Sequence, residues 1–244
     1  MVQNLTIFLP LHPLIYKLAN SIVSCWEKNL YLVPCKLPTN LNYVECALKT
    51  DKLIIQNFCY QSHQFSKIHL ELVRYEQKLD ILHCVMFPRL EYSLPIFGCD
   101  LVIGKNKISA AVADLSPTNL KVKLSKQYQQ KLSQLKSHDF LVTRDLPDWG
   151  DIFSEYCIFI QPLNLKEENN FLEQVENILQ IHCEQSANSK IISDHEKYLN
   201  LQGQEYYCNR QKQNDKTRRI LEYFFGEEWA DNYISQVLFS TCLL

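Results

Sequence analysis

From Pro13 onward apolar residues recur three and four apart, at Leu14, Ile15, Leu18, Ile22, Val23 and Trp26. With Pro13 at the first turn, this spacing predicts an amphipathic helix. The period then changes. Between about Tyr43 and Leu115 apolar and polar residues alternate in short runs separated by turn-like segments, which predicts antiparallel strands joined by hairpins. A charged helix is expected over Lys126–Lys136 and one more strand over Glu155–Ile160. Helical spacing returns at Phe171, Val175, Ile178, Leu179 and His182, continues in a helix expected within Asp194–Phe225, and ends with a helix over Glu228–Phe239. Gly226 punctuates the last two. Helices before and after a sheet of local hairpins predict an α/β fold, a three-layer α/β/α sandwich with a central antiparallel sheet.

Composition narrows the class without changing that picture. The 244 residues are 46% hydrophobic, enough for one sizeable core, and no Gly-, Ser- or Pro-rich run divides them, so residues 1–244 are read as a single domain. The formal charge of −2 gives no global signature of a nucleic-acid binder. Ten cysteines are scattered from Cys25 to Cys242 with no C-x-x-C pair, a distribution that fits free, mostly buried thiols in a reducing compartment. Met1–Pro13 does not read as a signal peptide and no apolar run approaches membrane-spanning length, so neither is expected. A cytoplasmic monomer that does not engage a membrane is expected.

The informative chemistry lies between Phe65 and Asp114. In Ile68-His69-Leu70-Glu71-Leu72 the apolar residues share one face of a strand, and His69 and Glu71 share the other. If Arg74 pairs with Asp80 across a short loop, residue counting places Glu71 opposite His83. If Pro88 and Pro95 flank the next turn, His83 falls opposite Asp100. A third hairpin centred on Gly104-Lys105 would bring Ser109 opposite Asp100. These registers are assumed, and a slip of one residue would turn a strand's side chains to the other face. With them, Glu71, His83, Asp100 and Ser109 form a row across four strands. An imidazole between two carboxylates favours its cation, while apolar surroundings disfavour every charge, so such a row would titrate as a unit and could store a proton. Taken alone, the same residues could each be solvated or held in separate structural hydrogen bonds.

Other chemistries find less support. No compact metal-ligand motif such as H-E-x-x-H occurs, and no metal is expected. Cys84 and Cys99 adjoin His83 and Asp100 in sequence, yet alternation points them to the opposite face, which disfavours a Cys-His nucleophile. Only five glycines exist and they are not clustered, so no loop suits a dinucleotide. Arg210, Lys212, Lys216, Arg218 and Arg219 lie on an expected helix. They form either a solvated face or a set from which carboxylates of a ligand could be bound.

Several segments together carry a resemblance. Phe65–Glu71 (FSKIHLE), Asp80–Pro88 (DILHCVMFP), Leu94–Val102 (LPIFGCDLV), Ser109–Pro117 (SAAVADLSP), Trp149–Cys157 (WGDIFSEYC), Asn214–Arg219 (NDKTRR) and Phe225–Phe239 (FGEEWADNYISQVLF) occur in an order that resembles the ferredoxin-dependent bilin reductases over nearly the whole chain. The match is nearest to the branch that makes phycocyanobilin. The resemblance implies an α/β/α sandwich holding biliverdin IXα between the sheet and the C-terminal helices. It also implies a four-electron reduction to phycocyanobilin, D-ring vinyl first and then A-ring, in proton-coupled single-electron steps through bilin radicals. Electrons would come from the [2Fe-2S] cluster of transiently bound reduced ferredoxin, with no tightly bound cofactor.

Carried over by position, the resemblance implies that Asp100 supplies protons near the pyrrole nitrogens and lactam oxygens. His83 would hydrogen-bond the lactam end, with His69 as its partner through water, and Glu71 would lie beside the D-ring vinyl group. Ser109, Arg144 and Lys216 match positions that contact propionates, and Asn214 and Asp215 match positions that border the pocket. Ile220 stands where valine is expected, adding a methylene to the pocket wall.

Overall fold

The computed structural model describes residues 6–38, 40–105, 107–119 and 123–240. Helix α1 spans Pro13–Asn29 and buries Leu14, Ile15, Leu18, Ile22, Val23 and Trp26, the residues of the expected stripe. His12 caps it through a bond from the Leu14 amide to Nδ1 at 3.3 Å, and the His12 amide donates to Asp80 Oδ2 at 2.8 Å. Strands β1 (Val33–Pro34), β2 (Tyr43–Leu48), β3 (Asp51–Gln61), β4 (Phe65–Tyr75), β5 (Leu79–Pro88), β6 (Ile96–Gly104) and β7 (Lys107–Ser116) follow. After α2 (Lys126–Ser133) and β8 (Ile158–Ile160) come α3 (Leu165–Ala187), α4 (Asp194–Gln211), α5 (Asp215–Phe225) and α6 (Glu227–Tyr233).

The strands form one antiparallel sheet in the order β1-β3-β4-β5-β6-β7-β8, with β2 also pairing with β3. Alternation divides its side chains between two cores. Ile68, Leu70, Leu82, Cys84, Cys99 and Leu101 pack under α1 and α3, while Ile55, Val85, Phe87 and Ile96 pack against Tyr207, Leu221, Phe224 and Val237 from the C-terminal helical segments. Cys84 and Cys99 thus face away from His83 and Asp100, as strand alternation requires. The nine described cysteines are all free, five of them buried and four half-buried. Cys242 lies outside the described residues. Among those residues no helix is long and apolar enough to cross a membrane.

Three elements differ from the sequence reading. The stretch Asp194–Phe225 holds two helices, because the chain leaves α4 at Lys212 and starts α5 with Asn214 as its cap, whose side chain accepts from the Lys216 amide at 3.3 Å. The last helix passes from α6 into a wider π turn over Ile234–Leu238, closed by the Phe239 amide on the Ile234 carbonyl at 2.9 Å. Finally, β8 begins only at Ile158, since the Cys157 amide is used in a turn to the Ser154 carbonyl at 3.2 Å. Gly226, at φ +85°, separates α5 from α6. Gly203 lets α4 meet the chain at Thr118, where a Cβ would lie 1.8 Å from the Thr118 carbonyl oxygen.

Candidate active site

Antiparallel pairing sets one line of polar residues across the sheet. Asn57 on β3 pairs with Glu71 on β4, Glu71 with His83 on β5, and His83 with Asp100 on β6. The assumed Arg74–Asp80 register is also present, reinforced by Arg74 Nη1 donating to both Asp80 oxygens at 3.0 Å. The third hairpin departs from expectation. It closes at Gly104–Lys107 with a bulge beside Val102, so Val112 stands opposite Asp100. Ser109 is the extra residue of that bulge, its hydroxyl donating to the Val102 carbonyl at 3.1 Å, and it does not join the row. A bulge inserts one residue and shifts every pair beyond it.

Exposure falls along the line. The Asp100 side chain is 38% exposed and that of His83 11%, while Glu71 and Asn57 are each 4% exposed as residues. Asp100 therefore forms the open end and Glu71 lies inside. Asp100 Oδ1 lies 2.7 Å from His83 Nδ1. At the inner end Tyr233 donates to Glu71 Oε1 at 2.6 Å and accepts from Asn57 Nδ2 at 2.8 Å. Asn57 Oδ1 lies 2.9 Å from His69 Nε2. An amide oxygen only accepts, so His69 is the donor there and its Nδ1 is a bare acceptor in the neutral ring.

The electrostatics follow from burial and neighbours. Burial opposes the His83 cation, but the charge of Asp100, its hydrogen bond and the charge of Glu71 together raise the His83 pKa above its ordinary value. Burial, with Lys67 and His83 adding to it, holds the His69 pKa well below the usual histidine value. Burial also raises the Glu71 pKa against the opposing effects of His83 and the Tyr233 hydroxyl. The row thus favours an imidazolium on His83 beside a carboxyl reluctant to ionise. His83 Nε2 and His69 Nδ1, on rings 6.4 Å apart, are buried with no protein partner among the described residues. Charged His83 offers a donor there and neutral His69 an acceptor, a combination suited to passing a proton to a ligand or through a bridging water.

The remaining expected residues sit outside this row. Arg144 is exposed near β8, with its amide on the Phe159 carbonyl at 2.9 Å and Nη2 on Gln161 Oε1 at 2.9 Å. Asn214, Asp215 and Lys216 form the start of α5, where Asp215 pairs with Arg219. Ile220 packs half-buried against the core between the sheet and the C-terminal helices. No described hydrogen bond or ion pair joins these residues to Glu71, His83 or Asp100.

Asn57, Tyr233, Tyr207, Phe239 and Lys67 are not marked as site residues by the sequence pattern alone. The Phe239 ring meets His83 edge-on at 5.7 Å. Tyr207 accepts from Gln211 Nε2 at 3.0 Å and lies over Gly98, where a Cβ would be 3.2 Å from its hydroxyl. Lys67 had a readable signal, since it shares strand parity with His69 and Glu71. Among the described residues no group of three or more His, Cys, Asp or Glu is arranged to hold a metal ion.

Residues 19–240 match the family model for ferredoxin-dependent bilin reductase. The chain is 51% identical over 230 residues to a phycocyanobilin:ferredoxin oxidoreductase of Trichodesmium erythraeum, covering 94% of each protein. It is 48% identical over 231 residues to the phycocyanobilin:ferredoxin oxidoreductase of Synechococcus elongatus, covering 94% of this chain and 93% of that one. In fold it is similar to a solved phytochromobilin synthase from tomato in complex with biliverdin, with a TM-score of 0.76 at 16% identity over 92% of this chain and 82% of that one. The family match and the extent of the identity agree, and the chain belongs to the ferredoxin-dependent bilin reductases.

Proposed function

We propose that this protein reduces biliverdin IXα to phycocyanobilin with electrons delivered singly by reduced ferredoxin. Identity of about half the residues along nearly the full length of two phycocyanobilin:ferredoxin oxidoreductases supports the activity. The observation that carries the mechanism is the Glu71–His83–Asp100 row, graded from buried to open.

An electron added to a bilin in a dry pocket creates a charge that is costly unless a proton arrives with it. Ferredoxin supplies one electron at a time, so the bilin passes through radical states, and each two-electron reduction takes up two protons. The row meets that need. Asp100, at the open end, delivers protons near the pyrrole nitrogens and lactam oxygens. His83 donates to the lactam end, with His69 supporting it, and Glu71 lies beside the D-ring vinyl group and directs the first reduction there, ahead of the A-ring. Arg144, Ser109 and Lys216 bind propionates at the rim, and Asn214, Asp215 and Ile220 border the bilin on the helical side. The reaction needs no resident cofactor, and we assign it to a cytoplasmic monomer that meets ferredoxin transiently.

Anaerobic turnover of biliverdin IXα with reduced ferredoxin, resolved chromatographically against bilin standards, tests this reading. Phycocyanobilin preceded by a D-ring-reduced intermediate is the expected result. A different bilin would move the protein to a sister activity, and binding without reduction would sink the proposal.

A further inference from the structure

We infer that Lys67 is a positioning residue for the acid row: its ammonium clamps the C-terminal π turn and so holds Tyr233 on Glu71 and Phe239 on His83. The inference rests on the reductase reading above, because it concerns the delivery of protons in that reaction.

Lys67 precedes His69 by two residues on the same face of β4, and it is fully buried. A buried ammonium is costly unless acceptors surround it. Here Nζ donates to the Leu238 carbonyl at 2.9 Å and also to the Val237 carbonyl. Both belong to the π turn over Ile234–Leu238, where carbonyls at a helical C-terminus lack intrahelical partners and attract a cation. The turn's two flanking residues are those that reach the row. Tyr233, immediately before it, donates to Glu71, and Phe239, immediately after it, lies edge-on to His83. The Tyr233 ring is stacked on Trp229 at 4.8 Å between centroids, so its hydroxyl is aimed by the helix rather than by a free rotamer. One side chain on β4 therefore fixes the register of the C-terminal turn against β4 and β5. Simple core filling does not require a lysine, since a methionine would occupy a similar volume without needing acceptors.

The charge acts on the same groups. It helps keep His69 neutral and opposes protonation of both His83 and Glu71. Removing it would strengthen proton retention by both, and removing the Tyr233 hydroxyl would do the same at Glu71.

Lys67→Met keeps the length and removes the ammonium, while Tyr233→Phe keeps the ring and removes the hydroxyl with Lys67 in place. For wild type, both variants and the double variant, the rate of the first bilin reduction is measured together with the pH midpoint of the biliverdin complex's absorption change. Each single variant is expected to bind biliverdin stoichiometrically, slow the first reduction on the order of tenfold, as for a lost hydrogen bond to a buried acid, and raise the midpoint. The double variant should be slowed by less than the product of the two single effects, because the Tyr233–Glu71 contact is lost only once while the Lys67 charge also acts directly on His83. Additive slowing would overturn the clamp, as would Tyr233→Phe with wild-type rate and midpoint, or Lys67→Met changed only in thermal stability. Should Lys67→Met fail to fold, Lys67→Gln, which keeps a donor for the turn carbonyls without the charge, takes its place beside Tyr233→Phe and is read against the same outcomes. Wild type that binds but does not reduce biliverdin would strike the reductase reading instead, and the midpoints of the complexes would still test the clamp.

Discussion

Replacing Glu71 by Gln isolates the consequence of burying that carboxyl. Glu71 is 4% exposed, accepts from Tyr233 at 2.6 Å, and has its pKa raised chiefly by burial. Glutamine has nearly the same shape and can accept the same bond, so it imitates the protonated carboxyl and not the carboxylate. Between the unfolded pKa of about 4.3 and the raised folded value, the native state holds a proton that the unfolded state has released. Unfolding free energy then falls as pH rises, by about 1.4 kcal/mol per pH unit across that window. Glu71→Gln removes this loss. Its stability relative to wild type should therefore rise with pH through the window and level off once Glu71 ionises in the folded protein. Urea unfolding of both proteins, at half-unit steps from pH 4.5 to 8, measures the difference directly, and contributions common to both cancel. A difference that stays flat, or that falls as pH rises, would refute the burial argument. In turnover the same variant should bind biliverdin and lose the preference for reducing the D-ring vinyl first, which chromatography of the early intermediates reports.

Two further substitutions test other parts of the architecture. Gly203→Ala places a methyl 1.8 Å from the Thr118 carbonyl oxygen and should cost about 3 kcal/mol or more by forcing α4 away from the chain at Thr118, visible as a large drop in melting temperature. Asn57→Leu strips partners from His69 Nε2, Tyr233 and the Leu41 carbonyl at once, and should destabilise by about 2–4 kcal/mol in denaturant unfolding while loosening Tyr233 on Glu71.

Most of the sheet was legible in the sequence because its hairpins carry local markers. The Arg74–Asp80 pair and the prolines at 88 and 95 fix two registers, and period-two alternation then assigns every face, including that of Cys84 and Cys99. Ser109 escaped because the β6–β7 hairpin closes at Gly104–Lys107, two residues off the assumed register, and the bulge adds one more, and neither leaves a residue signature in the alternation. The break between α4 and α5 carries neither glycine nor proline. Its signal was Asn214 as a cap, which reads equally well as a polar helix residue. Tyr233 and Phe239 could not be placed on the row from sequence, because their contacts span 162 and 156 residues and depend on how the last turn packs. The acids themselves were found by pairing, but the exposure gradient that gives them an order depends on which helices cover the sheet.

The central claim is that Asp100 and His83 act as a coupled proton source for the bound bilin. A pH titration of the absorption spectrum of the biliverdin complex, in wild type and in Asp100→Asn, tests it most directly. The account predicts a spectral transition in wild type that moves to lower pH in the variant, because His83 loses the neighbouring charge at 2.7 Å that favours its cation. A spectrum that does not change with pH, and is the same in both proteins, would contradict it.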